Sequence, residues 1–110
     1  MSYRSIDSTD GLQDALDRSQ SEPIVLFKHS NTCDLSAMAR REMVTIDIPV
    51  FELVVQTARP LSNHIEAHFG IRHESPQVIL LHEGEAIFNA SHRAVPADNI
   101  YSAVSPLLAS

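Results

Sequence analysis

Apolar positions along this chain occur either at helical spacing or in short continuous runs, and the two kinds of segment alternate. Leu12, Ala15 and Leu16 recur at i, i+3 and i+4 within residues 9–19, behind Ser8 or Thr9 as a cap, and predict a helix. Pro23 then admits Ile24-Val25-Leu26-Phe27, a run too short for a helix and rich enough in branched and aromatic side chains to be a strand buried on both faces. From Cys33 onward Leu35, Ala39 and Met43, with Met38 beside them, return to helical spacing. Pro49 opens a second strand over residues 50–55. Pro60 precedes a helix carrying Leu61, Ile65, Ala67 or His68, and Phe69, which ends against Gly70 as its C′ residue. In the last third, residues 77–82 and 85–90 flank Glu83-Gly84, a two-residue hairpin turn, so these strands are expected to be antiparallel. Ala97, Ile100, Tyr101, Val104 and Leu107-Leu108 mark a final helix, bent or ended by Pro106.

With a short first strand near Tyr3 to Ile6, the predicted order is β-α-β-α-β-α-β-β-α. This is an α/β chain with a central mixed sheet flanked by helices on both faces, in the order of the thioredoxin-like fold. A length of 110 residues, 44% of them hydrophobic, suits one domain over residues 1–110 with a single core and no metal or disulfide staple. The formal charge of −6 repels phosphate backbones and anionic lipids, which argues against a nucleic-acid or membrane partner. Arg40-Arg41 is the densest positive spot, and at that size it reads as a solvated helix face. One cysteine cannot close an intramolecular bridge. The opening residues contain no apolar run long enough for a signal peptide or a membrane span, so a cytoplasmic protein is expected.

The chemistry centres on Cys33, which follows a buried strand and opens a helix, where unpaired N–H groups and the helix dipole favour a thiolate. A lone cysteine without context is more often an inert core residue. Here Asn31 and Thr32 before it and Asp34 after it point to an exposed loop–helix junction instead. Cys33-Asp34-Leu35-Ser36 has the spacing of a Cys-x-x-Cys redox motif with serine for the second sulfur. Ser36 is able to hydrogen-bond the thiolate across one turn, and equally to be an ordinary polar residue of the first turn. Asp34 acts against the thiolate, so the net shift of the thiol has no sign from sequence. Pro76 after Ser75 stands where the thioredoxin fold carries a cis-proline facing the reactive cysteine, and the Ser75 backbone would then pair with an incoming substrate. His29 and His73 lie within a few residues of these two loops and are candidates to tune the thiol. His64 and His68 share a helix face at i, i+4, but no second cysteine or carboxylate cluster completes a metal set, so no metal site is expected.

Four ordered segments carry a family resemblance: residues 27–36 (Phe-Lys-His-Ser-Asn-Thr-Cys-Asp-Leu-Ser), residues 59–65 (Arg-Pro-Leu-Ser-Asn-His-Ile), residues 72–78 (Arg-His-Glu-Ser-Pro-Gln-Val) and residues 90–92 (Ala-Ser-His). Together they resemble the YtxJ-type monothiol bacilliredoxins. The resemblance implies a thioredoxin-like fold, Cys33 as nucleophile, and removal of bacillithiol from mixed disulfides on oxidised cytosolic proteins. No bound cofactor is then expected. Bacillithiol serves as thiol co-substrate, and a second thiol, another redoxin or a reductase completes the cycle. Asp34 departs from the uncharged residue that relatives often carry. Two rival readings keep the site: a redoxin linked to glutathione or coenzyme A, and a redox-sensing adaptor whose Cys33 is modified without turnover.

Overall fold

The computed structural model describes residues 3–32, 34–91 and 100–104. Its elements follow in the order β1 (Tyr3–Ser5), α1 (Thr9–Ser19), β2 (Ile24–His29), α2 (Asp34–Met43), β3 (Val50–Val54), α3 (Arg59–Phe69), β4 (Gln77–His82) and β5 (Glu85–Ser91). Residues 100–104 are helical. The remainder of the expected C-terminal helix, with Ala97, Pro106 and Leu107-Leu108, lies outside the described residues, as does His92.

The five strands form one sheet in the order β1-β3-β2-β4-β5. β1 and β2 run parallel to β3, while β4 is antiparallel to both β2 and β5. The continuous apolar run predicted for β2 is explained by its position at the centre, where every residue from Ile24 to His29 is buried. Side chains alternate across the sheet and so build two cores. Ile24, Leu26, Phe51, Leu53, Ile79 and Leu81 face Leu12 and Ala15 of α1 and Leu61 and Ile65 of α3. Val25, Phe27, Val50, Val78 and Leu80 face Ala39 and Met43 of α2 together with Ile100 and Val104. Helices therefore cover both faces.

Local chemistry sets the ends. The Ser8 hydroxyl accepts the Gly11 N–H at 3.4 Å to cap α1. Gly70 closes α3 in the left-handed region at φ 67°, its N–H donating to the Glu66 carbonyl. Glu83 and Gly84 both have positive φ, at 54° and 79°, as a tight hairpin turn requires.

Two expectations need correction. β2 continues through Lys28 and His29, which the apolar pattern left outside the strand. On α2 the buried stripe is Ser36, Ala39 and Met43, whereas Met38 is 57% exposed and Leu35 is only partly covered. Ala39 and Met43 of the apolar spacing do face inward, and a hydrogen-bonded serine, Ser36, completes the stripe where Leu35 is only partly covered.

Candidate functional site

The C-terminal end of β2 delivers the chain into residues 30–32, and α2 begins at Asp34. Cys33, between them, lies outside the described residues, but its setting is defined on both sides. Asn31, Thr32 and Asp34 are exposed, as the sequence led one to expect, while Ser36 is fully buried. The Ser36 hydroxyl accepts the Ser30 N–H at 2.8 Å, tying the end of β2 to the first turn of α2. Ser36 is thus a buried brace of this junction and not merely a polar residue of the first turn, while the expected hydrogen bond from its hydroxyl to Cys33 involves a residue outside the described set.

A second tie comes from Gln56, in the loop between β3 and α3. Its Nε2 donates to the Ser30 hydroxyl at 2.7 Å and to the Thr32 hydroxyl at 3.2 Å, and its Oε1 accepts the Asn31 N–H at 3.2 Å. One amide therefore holds all three residues that lead to Cys33. Because both ends of the amide are used, its orientation is fixed as well as its position.

On the α2 side of the sheet, His29 is 6% exposed and its ring packs against Phe27 with centroids 5.7 Å apart. Burial, and then the nearby Arg40 charge, hold its basicity below that of free histidine, although Glu52 and a hydrogen bond to the Ser36 backbone work the other way. Its Nδ1 is buried without a partner. Beside it Glu52, a buried carboxylate on β3, accepts the Tyr3 hydroxyl and the Arg40 Nε, the latter at 3.2 Å. Burial and the hydrogen bond to that carboxylate push the Tyr3 hydroxyl far above its ordinary range.

The opposite face carries a cluster that sequence reasoning missed. Lys28 has no exposed surface; its Nζ donates to the Ser62 carbonyl at 3.2 Å and lies 3.2 Å from His73 Nδ1. An ammonium can only donate, so His73 Nδ1 is the acceptor and the neutral ring carries its proton on Nε2. The Ser62 hydroxyl also meets Nδ1, at 3.1 Å, and the His73 backbone N–H donates to a Glu66 carboxylate oxygen at 2.6 Å. Burial lowers the basicity of both partners, opposed at Lys28 by the Glu66 charge and reinforced at His73 by Lys28. The loop held in this way leads directly into Ser75-Pro76, whose peptide bond is cis. Pro76 is buried and Ser75 half-buried. Gln77, the register partner of Lys28, donates to the Arg72 carbonyl at 2.9 Å, and its Oε1 is buried without a partner.

The model of the family described as monothiol bacilliredoxin BrxC matches residues 4–100. The chain belongs to the monothiol bacilliredoxin family. Among solved structures, a protein described as a candidate oxidoreductase with a thioredoxin fold superposes with a TM-score of 0.85 at 27% identity, covering 92% of each chain. A redox protein from Chlamydomonas reinhardtii gives 0.81 at 16% identity over 99% of this chain and 36% of that one. A mutant thioredoxin from Halobacterium salinarum gives 0.73 at 14% identity over 96% of this chain and 89% of that one. The fold is thioredoxin-like, and with the family it makes this bacilliredoxin a redox protein of the thiol-oxidoreductase type.

The sheet gathers the ends of β2 and β3 and the start of β4 at one edge, and with them most of the candidate residues of this bacilliredoxin. Thr32, Asp34 and Ser36 flank Cys33, and Ser75-Pro76 enters β4 beside β2. His29 and His73 are not brought together: His29 belongs to the α2 face, His73 to the α3 face with Lys28. The facing of Cys33 and Pro76 falls on a residue outside the described set. Among the described residues no three His, Cys, Asp or Glu side chains gather as a metal-binding group, and His64 and His68 stack with ring centroids 6.0 Å apart. No described helix is long and apolar enough to cross a membrane.

Proposed function

We propose that the protein is a monothiol thiol–disulfide oxidoreductase that removes bacillithiol from mixed disulfides on oxidised cytoplasmic proteins. The Cys33 thiolate attacks the bacillithiol sulfur, the old S–S bond breaks, and the client leaves as a thiolate that takes a proton from water. Cys33 is then joined to bacillithiol. Family membership supports this reading, and the observation that carries it is the state of position 36. The residue one turn along α2 is a serine whose hydroxyl is occupied by the Ser30 N–H, so no second sulfur stands there to resolve the adduct. Regeneration falls to an external thiol or reductase, which attacks the bacillithiol sulfur and releases Cys33.

The reading is tested on one defined protein mixed disulfide with bacillithiol, glutathione or coenzyme A as the small thiol. Many turnovers with bacillithiol and few with the others are expected. Equal turnover with glutathione or coenzyme A would reassign the small thiol. Modification of Cys33 that stops at one equivalent with every thiol would mark a redox-sensing adaptor.

A further inference from the structure

The pair Arg40-Arg41 has no part in the exchange chemistry, yet both residues line a shallow, open cavity of about 400 Å³ with His29, Ala37 and Val44. Ala37, Arg40 and Arg41 stand at i, i+3 and i+4 on one face of α2, and Val44, in the turn just past its end, follows at i+7 with its N–H bonded to the Arg40 carbonyl at 3.0 Å. That face adjoins the buried stripe of Ser36, Ala39 and Met43. Ala37 is one turn along the helix from Asp34, the residue that follows Cys33 in the chain, and His29 ends the strand that leads into the Cys33 loop. The cavity therefore begins beside the reactive loop and runs away from it along α2.

Its chemistry is unusual for a molecule of charge −6. Arg40 is engaged by the Tyr3 hydroxyl and, through its Nε, by Glu52, so it lends the wall positive charge and only part of its five-donor guanidinium. Arg41 has no ion-pair or hydrogen-bond partner among the described residues. His29, whose Nδ1 is buried without a partner, stands among the lining residues, and Val44, 46% exposed, supplies an apolar patch. Forked cationic donors suit carboxylate or phosphate groups. The volume lies in the range of small-molecule pockets, well below what a protein surface would need.

We propose that this cavity holds the anionic end of the low-molecular-weight thiol while its sulfur is exchanged at Cys33. The inference rests on the monothiol reading above and adds to it the recognition of the small thiol. It fits carboxylate-bearing bacillithiol and glutathione and phosphate-bearing coenzyme A by one shared property, negative charge away from the sulfur.

The test follows the second-order reaction of reduced full-length chain with symmetric small disulfides, read by intact mass. In each case the Cys33 thiolate attacks one sulfur, the S–S bond breaks, and one small thiolate departs. Bacillithiol disulfide, glutathione disulfide and coenzyme A disulfide are compared with neutral hydroxyethyl disulfide. The ratio of anionic to neutral rate is internal to each variant, so general loss of fold or thiol reactivity cancels from it. Arg41→Gln should lower that ratio about three- to tenfold and Arg41→Glu further, while Arg18→Gln, the same charge change on α1, should not. The carboxylate and phosphate disulfides show which anion the cavity prefers. A ratio equal in wild type, Arg41→Gln and Arg18→Gln would overturn the inference while leaving the monothiol reading intact. So would a defect of Arg41→Gln confined to protein mixed disulfides, which would assign the arginines to the client. Failure of the wild-type chain to react with any of the four would instead overturn the reading on which the inference rests.

Discussion

Gln56 shows how much of the site depends on single side chains from distant loops. Its amide spans the three residues before Cys33, so Gln56→Ala frees that loop while leaving both cores untouched. The rate of adduct formation at Cys33 should fall about three- to tenfold, the scale of one or two neutral hydrogen bonds, with little change in Tm. A rate equal to wild type would remove Gln56 from the site. His73 makes a pH prediction. Its folded-state basicity is lowered, so the folded protein favours the neutral ring; the associated stability is fully present above about pH 6.5 and is lost as pH falls toward the folded value. Lys28, Glu66, Arg59 and Glu74 are the charged groups that act on it. Thermal melts should show Tm declining from pH 7.5 to 5.5, and His73→Asn, which retains an acceptor for Lys28, should flatten the decline. An unchanged slope would show that His73 does not titrate in that window. Cys33, Ser36, Ser75 and Pro76 were legible as candidates because local order and motif spacing name them. Gln56 and Lys28 were not, since their partners lie 24 to 45 positions away and a polar residue beside a strand gives no sign of what it will meet.

Strands and helices were the more legible scale. Helical spacing and short apolar runs located every described element after β1, and the positive φ values of Glu83 and Gly84 explain why that dipeptide was readable as a turn. The inward face of α2 was legible at Ala39 and Met43 but not at Ser36, because the Ser30 N–H needs an acceptor and draws that polar residue inside. How α1 packs was also hidden. A Cβ on Gly11 would lie 2.7 Å from both Cβ and Cγ2 of Ile6, so the glycine permits α1 to approach the end of β1. Gly11→Ala should improve helix propensity and still destabilise the protein, by about 1–3 kcal/mol, because the overlap forces α1 or Ile6 to shift. Urea unfolding checks this. A variant as stable as wild type would mean that α1 moves at no cost.

At the scale of the whole molecule, the parallel pairs β1/β3 and β3/β2 and the antiparallel β4 bring residues near positions 30, 56 and 75 to one edge. Element order together with the hairpin signal made this arrangement readable. The two-sided polar lining beneath it was not, because it depends on which face each strand residue takes at the sheet's end. One cysteine per chain allows at most one adduct per molecule, and with Ser36 at the second position the chain cannot discharge that adduct alone. Intact-mass measurement after complete loading with bacillithiol disulfide tests this claim most directly. The account predicts one bacillithiol per chain, persistent until an external thiol is added, and none on Cys33→Ser. Loss of the adduct from the fully loaded chain without added thiol, or its appearance on Cys33→Ser, would contradict the account.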